Sequence, residues 1–339
     1  HEYFDSWYVP NNMAVVLAGD IDYDKTVAMV DKYFGTWTSK PVPGFSFEPE
    51  TPAAAPETVE VFGPNSEFMM MAWRFGGDAT SDPIMLDLIA GIMSNGQAGL
   101  IDLDLLQDQK VLDAGASADA QADYSEFSLS GEPREGQTLE QVRDLLLAEM
   151  EKVKQGAFDD WLIDAVVNDN RQTRLKFYNE NNSMRASAMT NAFILKQNWQ
   201  DQVDYYDRMA KITKQQVMDF ASKRFGSDYV CVFKRTGENK DAFKVNKPKI
   251  TAIDIKREGM SEWRKNWEKT PSATLTPEFI DYSKAISNRP LTNGVELSTV
   301  KNPSNDLFSL SYIVAMGSNN DRLLDLALDY LPYLGTPRL

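Results

Sequence analysis

Histidine and cysteine are all but missing from this chain: 339 residues include one of each, His1 and Cys231. A single cysteine allows no internal disulfide and leaves the redox compartment open. Cys231 lies between Val230 and Val232 in an apolar run, so it reads as a small buried hydrophobe rather than a nucleophile. A lone imidazole without convergent partners is a weak metal ligand, and His1 reads as a surface residue. Positive charge is also short, with 35 Lys and Arg against 50 Asp and Glu, a net charge of −15. Such a chain repels a phosphate backbone, which excludes nucleic acid as a partner; its acidity serves solubility first and attraction of basic peptides second. No apolar stretch approaches the roughly 20 residues that span a bilayer, and no basic-then-apolar leader opens the chain. Because the first residues read as internal to a domain, that missing leader leaves a signal on a longer parent open, and no compartment is selected. A soluble piece, periplasmic or cytoplasmic, fits equally.

What remains is ordinary for folded protein: 42% hydrophobic, 11% aromatic and 25% charged residues. From Trp7 to Gly35 the chain reads as a turn at Pro10-Asn-Asn, a short apolar strand from Met13 to Ala18, and a Gly-Asp break at Gly19-Asp20. A helix follows, capped by Asp22, with Val27, Val30 and Phe34 at helical spacing and Gly35 as its stop. One strand and one helix cannot bury both apolar faces, so the chain is expected to start in mid-domain.

The Lys40-Pro-Val-Pro-Gly segment and the Pro/Ala-rich Glu50 to Pro56 favour extended chain. After them, residues 50–245 read as a complete domain. Thr58 to Phe62 and Phe68 to Phe75 are strand candidates, and Asp82-Pro83 caps and starts a helix through Met93. Gly96 to Asp108 reads as a short second helix, followed by strands at Ala114 to Ala120 and Tyr124 to Gly131. Thr138 with Gln141, and Thr213 with Gln216, have the form of capping boxes. The first opens a helix with Leu139, Val142, Leu146, Met150 and Val153 on one face, as a layer over a sheet requires. Residues 159–225 are almost wholly helical in pattern, and Tyr229 to Arg235 returns as a final strand. Strands followed by a helical block predict an α+β fold, a mainly antiparallel sheet with helices packed on one face.

Residues 246–290, with Trp263 and Trp267 at helical spacing and prolines at 271, 277 and 290, read as a linker holding a short docked helix. Residues 291–339 then read as a new beginning: a strand at Asn293-Gly294, an alternating strand from Leu307 to Gly317, and an apolar helix running to Gly335-Thr336.

The Trp7–Gly35 segment resembles the insulinase and pitrilysin (M16) family of zinc metallopeptidases, where a Y-x-P-x-N-M strand, a Gly-Asp and a helix ending in Phe-Gly follow the catalytic segment. The resemblance implies four similar α+β domains in two halves closing around a peptide-binding chamber. It also implies a zinc site made by an inverted H-x-x-E-H motif with a distant glutamate, the motif's glutamate activating the bound water. One histidine cannot supply that motif. In the last segment, counting back from Gly335-Thr336 puts the motif's window on Leu326-Ala-Leu-Asp329-Tyr330, with Leu326 and Tyr330 where histidines would stand and Asp329 for the glutamate. That set would bind zinc weakly. The segment Ile92 to Gln107 likewise resembles the family's Gly-rich turn before an L-R-x-x-x-x-L-x-Y signature, with Gln107 in place of the arginine and Asp113 or Ala114 in place of the tyrosine.

The resemblance therefore implies residues 1–49 as the end of the catalytic domain plus linker, 50–245 as a second domain, 246–290 as the hinge between halves, and 291–339 as the start of a degenerate third domain. Zinc would belong to the parent, not to this chain, in which no catalytic, metal or cofactor residue is assigned. Partners would be the remaining domains, peptide substrates of the parent, and a second subunit in a homo- or heterodimer. The alternative is a family homologue that has lost catalysis and serves as a partner subunit, as core subunits of mitochondrial respiratory and processing complexes do. A further alternative is a peptide-binding module using a sheet edge. Two features bear on it: Met69 to Met71, which could line a peptide wall although core filling is favoured, and Arg171, Arg174 and Tyr178 on one helix face, which could meet substrate carboxylates although a solvated face is favoured.

Overall fold

A computed structural model of the chain describes residues 1–239, 245–253, 255, 257, 259–272, 274–331 and 334. It divides into two compact units, residues 1–253 and 254–339.

In the first unit, helices α1 (Glu2–Trp7) and α2 (Tyr23–Phe34) precede the sheet. The Asp22 carboxylate accepts from the Lys25 amide at 3.0 Å, as a cap should, and the helix ends at Gly35. The expected strand at Met13 to Ala18 does not form. Met13 is extended, but a strand needs a ladder, and among the described residues no strand runs beside it.

The core is one sheet of β1 (Glu57–Gly63), β2 (Phe68–Gly76), β3 (Asp113–Ala120), β4 (Tyr124–Glu132) and β5 (Val230–Thr236), in the order β1-β5-β2-β4-β3. Only β1 and β5 are parallel; the other neighbours are antiparallel. Period-two alternation decides the faces. Met69, Met71, Trp73 and Phe75 of β2, Phe127 and Leu129 of β4, and Cys231 and Phe233 of β5 are buried on one side.

That side is covered by a helical layer of α3 (Asp82–Met93), α4 (Leu139–Gln155), α5 (Trp161–Glu180), α6 (Asn182–Ile194), α7 (Trp199–Val203), α8 (Tyr205–Met209) and α9 (Lys214–Arg224), in which α6 packs on α5 and α7 on α8. All five predicted apolar positions of α4 are buried. Its capping box is closed in both directions, Gln141 N to Thr138 Oγ1 at 3.2 Å and Thr138 N to Gln141 Oε1 at 3.0 Å, and Gly156, at φ +68°, stops it. The second box closes in the same way at Thr213 and Gln216. Phe225 is the keystone, with its ring centroid 4.8 Å from Phe127 and 5.3 Å from Trp73, both in edge-on geometry, while the Trp73 indole donates to the Gly226 carbonyl at 3.0 Å.

Two local expectations need correction. Ser81, not Asp82, is the N-cap of α3; the Asp82 carboxylate instead accepts from the Gly76 amide at 2.9 Å and pairs with both Arg224 nitrogens, fastening the end of β2 to α9. The helix expected over Gly96 to Asp108 is shorter, a π-helical turn over Asp102–Gln107. Residues 94–99 ahead of it form a loop gathered around the Asp102 carboxylate.

The second unit carries α10 (Glu262–Glu268), α11 (Tyr282–Ala285), the hairpin of β6 (Ser287–Pro290) and β7 (Glu296–Thr299), and α12 (Leu324–Tyr330). Gly294, at φ +82°, turns the hairpin. Trp263 and Trp267 stack on each other with centroids 6.2 Å apart but stay 74% and 62% exposed, so α10 is not docked through them. Leu307 to Gly317 is not a strand; Phe308, Tyr312 and Ile313 are open to solvent, and among the described residues no strand pairs with them. Gly335-Thr336, from which the motif window was counted, lies outside the described residues.

Candidate functional site

Because the helices gather on one side, the other side of the sheet is open. Phe68 and Met70 of β2 point there, the alternate residues to the buried Met69 and Met71, so the methionine run splits between core and surface. Met70 stands opposite Val232 of β5 and Ser130 of β4, and Val232 in turn opposite Val59 of β1. With Val61 and Val230 these residues form an apolar strip across β1, β5 and β2. Toward β3 the same face becomes polar, and the Ser117 and Ser128 hydroxyls meet at 2.9 Å.

At one end of this face, Arg74 lies over the Tyr124 ring at 4.8 Å and donates to the carboxylate and, at 3.0 Å, the carbonyl of Glu50. Phe47 meets Tyr124 edge-on at 5.9 Å, so the extended segment before β1 is held against a cavity of about 710 Å³ lined by Arg74, Tyr124 and Glu126. At the other end the Lys234 ammonium is spent on the carbonyls of the β1–β2 turn, Gly63, Asn65 and Ser66. Among the described residues the outer strands β1 and β3 each bond to one neighbouring strand and leave their other edge unpaired. An open face between two such edges can receive an extended peptide.

The other candidate residues lie elsewhere. Cys231 is fully buried, and burial pushes its thiol up to about 11, which suits a core residue. His1 is exposed. Gln107 ends the π-helical turn on the surface, while Asp113 and Ala114 begin β3. Arg171 and Arg174 lie on a partly solvated helix face but are not free of partners: Arg171, its side chain 41% exposed, bonds Asp207, and Arg174 lies between Tyr178 and Tyr206.

Two constellations escaped sequence reasoning. The Asp102 loop has a faint signature, Asn95-Gly96 followed by Gly99 and an acid. The second, where the Tyr205 hydroxyl donates to Asp87, joins residues 118 apart and has no local signature. Burial raises the Asp87 carboxyl, partly offset by that donated bond, and burial also raises the Tyr205 phenol.

On α12 the window Leu326 to Tyr330 offers one carboxylate between leucine and tyrosine, a donor set that does not fit zinc. Among the described residues no three His, Cys, Asp or Glu side chains converge as a metal site, and no helix is long and apolar enough to cross a membrane.

Residues 1–170, half the chain, match the family model described as the peptidase M16 inactive domain. The chain belongs to the M16 peptidase family. No curated protein matches it. Its fold is shared with solved M16 proteins at low identity. A protease from Helicobacter pylori aligns at 17% identity and a TM-score of 0.63 over 69% of this chain and 58% of that one. The periplasmic protease PqqL from Escherichia coli aligns at 15% and 0.55 over 90% and 36%. A chain of complex III2 from Candida albicans aligns at 13% and 0.54 over 69% and 57%. This M16 chain thus spans a third to three fifths of the length of the structures it resembles.

Proposed function

We propose that this chain is a non-catalytic portion of an M16 zinc metallopeptidase, supplying a wall of the chamber in which the longer protein holds its peptide substrates. Residues 1–49 would close the catalytic domain, 50–245 form the second domain, 246–290 the hinge and 291–339 the opening of a degenerate third domain. The observation that carries this reading is the open apolar strip of Val59, Val61, Phe68, Met70 and Val230 on a sheet whose other face is buried under helices along β2, β4 and β5. A lone domain would gain by covering or polarising such a strip. Zinc and the activated water would come from the remaining domains.

The test is Met70→Glu and Val59→Glu in the longer protein. Both side chains are more than a third exposed, so stability should change by less than about 0.5 kcal/mol, while KM for peptide rises. Unchanged KM with both variants contradicts the reading.

Fold similarity to a chain of complex III2 supports a second reading, a family member without catalysis that serves as a subunit of an assembly. An H-x-x-E-H motif with a downstream glutamate, sought ahead of residue 1 in the parent sequence, favours the peptidase; a parent lacking it favours the subunit.

A further inference from the structure

Arg171 and Arg174 lie one turn apart on α5, yet their guanidinium groups have different fates. Arg171 is committed, bonding the Asp207 carboxylate and, at 3.4 Å, the Tyr206 carbonyl. Arg174 meets no carboxylate and no hydrogen-bond acceptor among the described residues. Its guanidinium lies over the rings of Tyr178 at 5.1 Å and Tyr206 at 5.5 Å. Stacking fixes the plane of a guanidinium while leaving its five N–H groups free to bind.

These free donors border a groove of about 390 Å³ between α3, α5, α6 and α8. Its lining combines apolar Phe177, Met184 and Leu195 with the side-chain amides of Asn170, Asn191 and Gln202. From this geometry we infer that the groove around Arg174 binds a peptide through a carboxylate.

Three features select that ligand class. A single planar guanidinium with no lysine in the groove matches the two-oxygen edge of a carboxylate, whereas phosphate is commonly met by several cations. The amides can pair with a peptide backbone, and the apolar wall accepts a neighbouring side chain. The groove's acids, Asp78 and Asp87, leave Arg174 unpaired, and Asp87 is turned to the Tyr205 hydroxyl. The site lies on the helical layer, opposite the open sheet face, so it does not depend on the chamber-wall reading.

The carboxylate could be a chain terminus or an acidic side chain, and three probes separate these sources. A fluorescein-labelled Ala-Gly-Ala-Phe-Leu peptide, its C-terminal amide, and an amide with Glu in place of the central Ala are titrated against the 339-residue chain by fluorescence anisotropy. At least one carboxylate-bearing probe should bind roughly tenfold tighter than the plain amide, the size of one charge-assisted bidentate contact. Which probe gains identifies terminus or side chain. Arg174→Gln should erase the preference. Asn170→Glu keeps the guanidinium but places a carboxylate four residues before it on the same helix face, and it should erase the preference too. Circular dichroism of both variants should match the parent chain. No saturable binding of either carboxylate probe, equal affinity for acid and amide, or a preference that survives both substitutions overturns the inference.

Discussion

Asp102 should prove the most sensitive single residue in the loop between α3 and β3. One oxygen, Oδ2, accepts from three backbone amides: Asn95 at 2.8 Å, Gly96 at 2.8 Å and Gly99 at 3.0 Å. The other takes the Ser94 hydroxyl at 3.4 Å, and the residue is 8% exposed. Asp102→Ala would strand three amides in a site with little water. Hydrogen bonds to a charged group contribute about 1.5–3 kcal/mol each, but neighbouring losses are not additive and the loop can relax, so the expected cost is about 3–5 kcal/mol. That is a large part of the roughly 5–15 kcal/mol that holds a domain folded. Asp102→Asn can keep all three amide bonds by placing its carbonyl oxygen at the Oδ2 position and turning its NH₂ to Ser94, losing only charge assistance, about 1–2 kcal/mol. Urea unfolding followed by circular dichroism gives both values, and hydrogen exchange at the amides of 95, 96 and 99 localises them. An alanine variant that loses less than about 1 kcal/mol, with exchange at those amides unchanged, refutes the reasoning.

Leu146→Ala, at a fully buried position of α4, should cost about 2–5 kcal/mol in the same assay. Gly131→Ala should cost about 1–3 kcal/mol, because a Cβ there would sit 2.6 Å from Val142 Cγ1 on the helix above. Cys231 should resist a thiol reagent in the folded chain at neutral pH and react fully in urea, since it is buried and its thiol is raised to about 11. Asp87 has a folded pKa above its ordinary 3.8, so protonation favours the folded chain below 3.8 and that advantage fades as pH rises through the folded value. Asp87→Asn still accepts from Tyr205 and should therefore match or exceed the parent chain's stability at neutral pH, with its relative gain shrinking in acid.

The elements legible in the sequence were those whose signals are local. The alternation of Phe68 to Gly76, the five apolar positions of α4 and both Thr-x-x-Gln boxes carry their own geometry, and they recur within a residue or two of their expected bounds. Met13 to Ala18 and Leu307 to Gly317 have the same apolar character but, among the described residues, no strand beside them, and sequence character cannot supply a hydrogen-bonding neighbour. At Asp82 a local capping pattern lost to a charged partner 142 residues away. The spacing of Arg171, Arg174 and Tyr178 put them on one helix face, but only the arrival of α8 decided that one arginine is paired and the other stacked. The open face of the sheet was half visible, since alternation in β2 separates Met70 from Met69 and Met71 without saying which side the helices cover.

The central claim, that this chain is a non-catalytic part of an M16 metallopeptidase, is tested most directly by measuring zinc content and cleavage of a quenched fluorescent peptide for the 339-residue chain beside its longer parent. Stoichiometric zinc and chelator-sensitive cleavage are expected in the parent and neither in the chain alone. Zinc-dependent cleavage by the chain alone would contradict that claim, as would a parent with neither zinc nor activity.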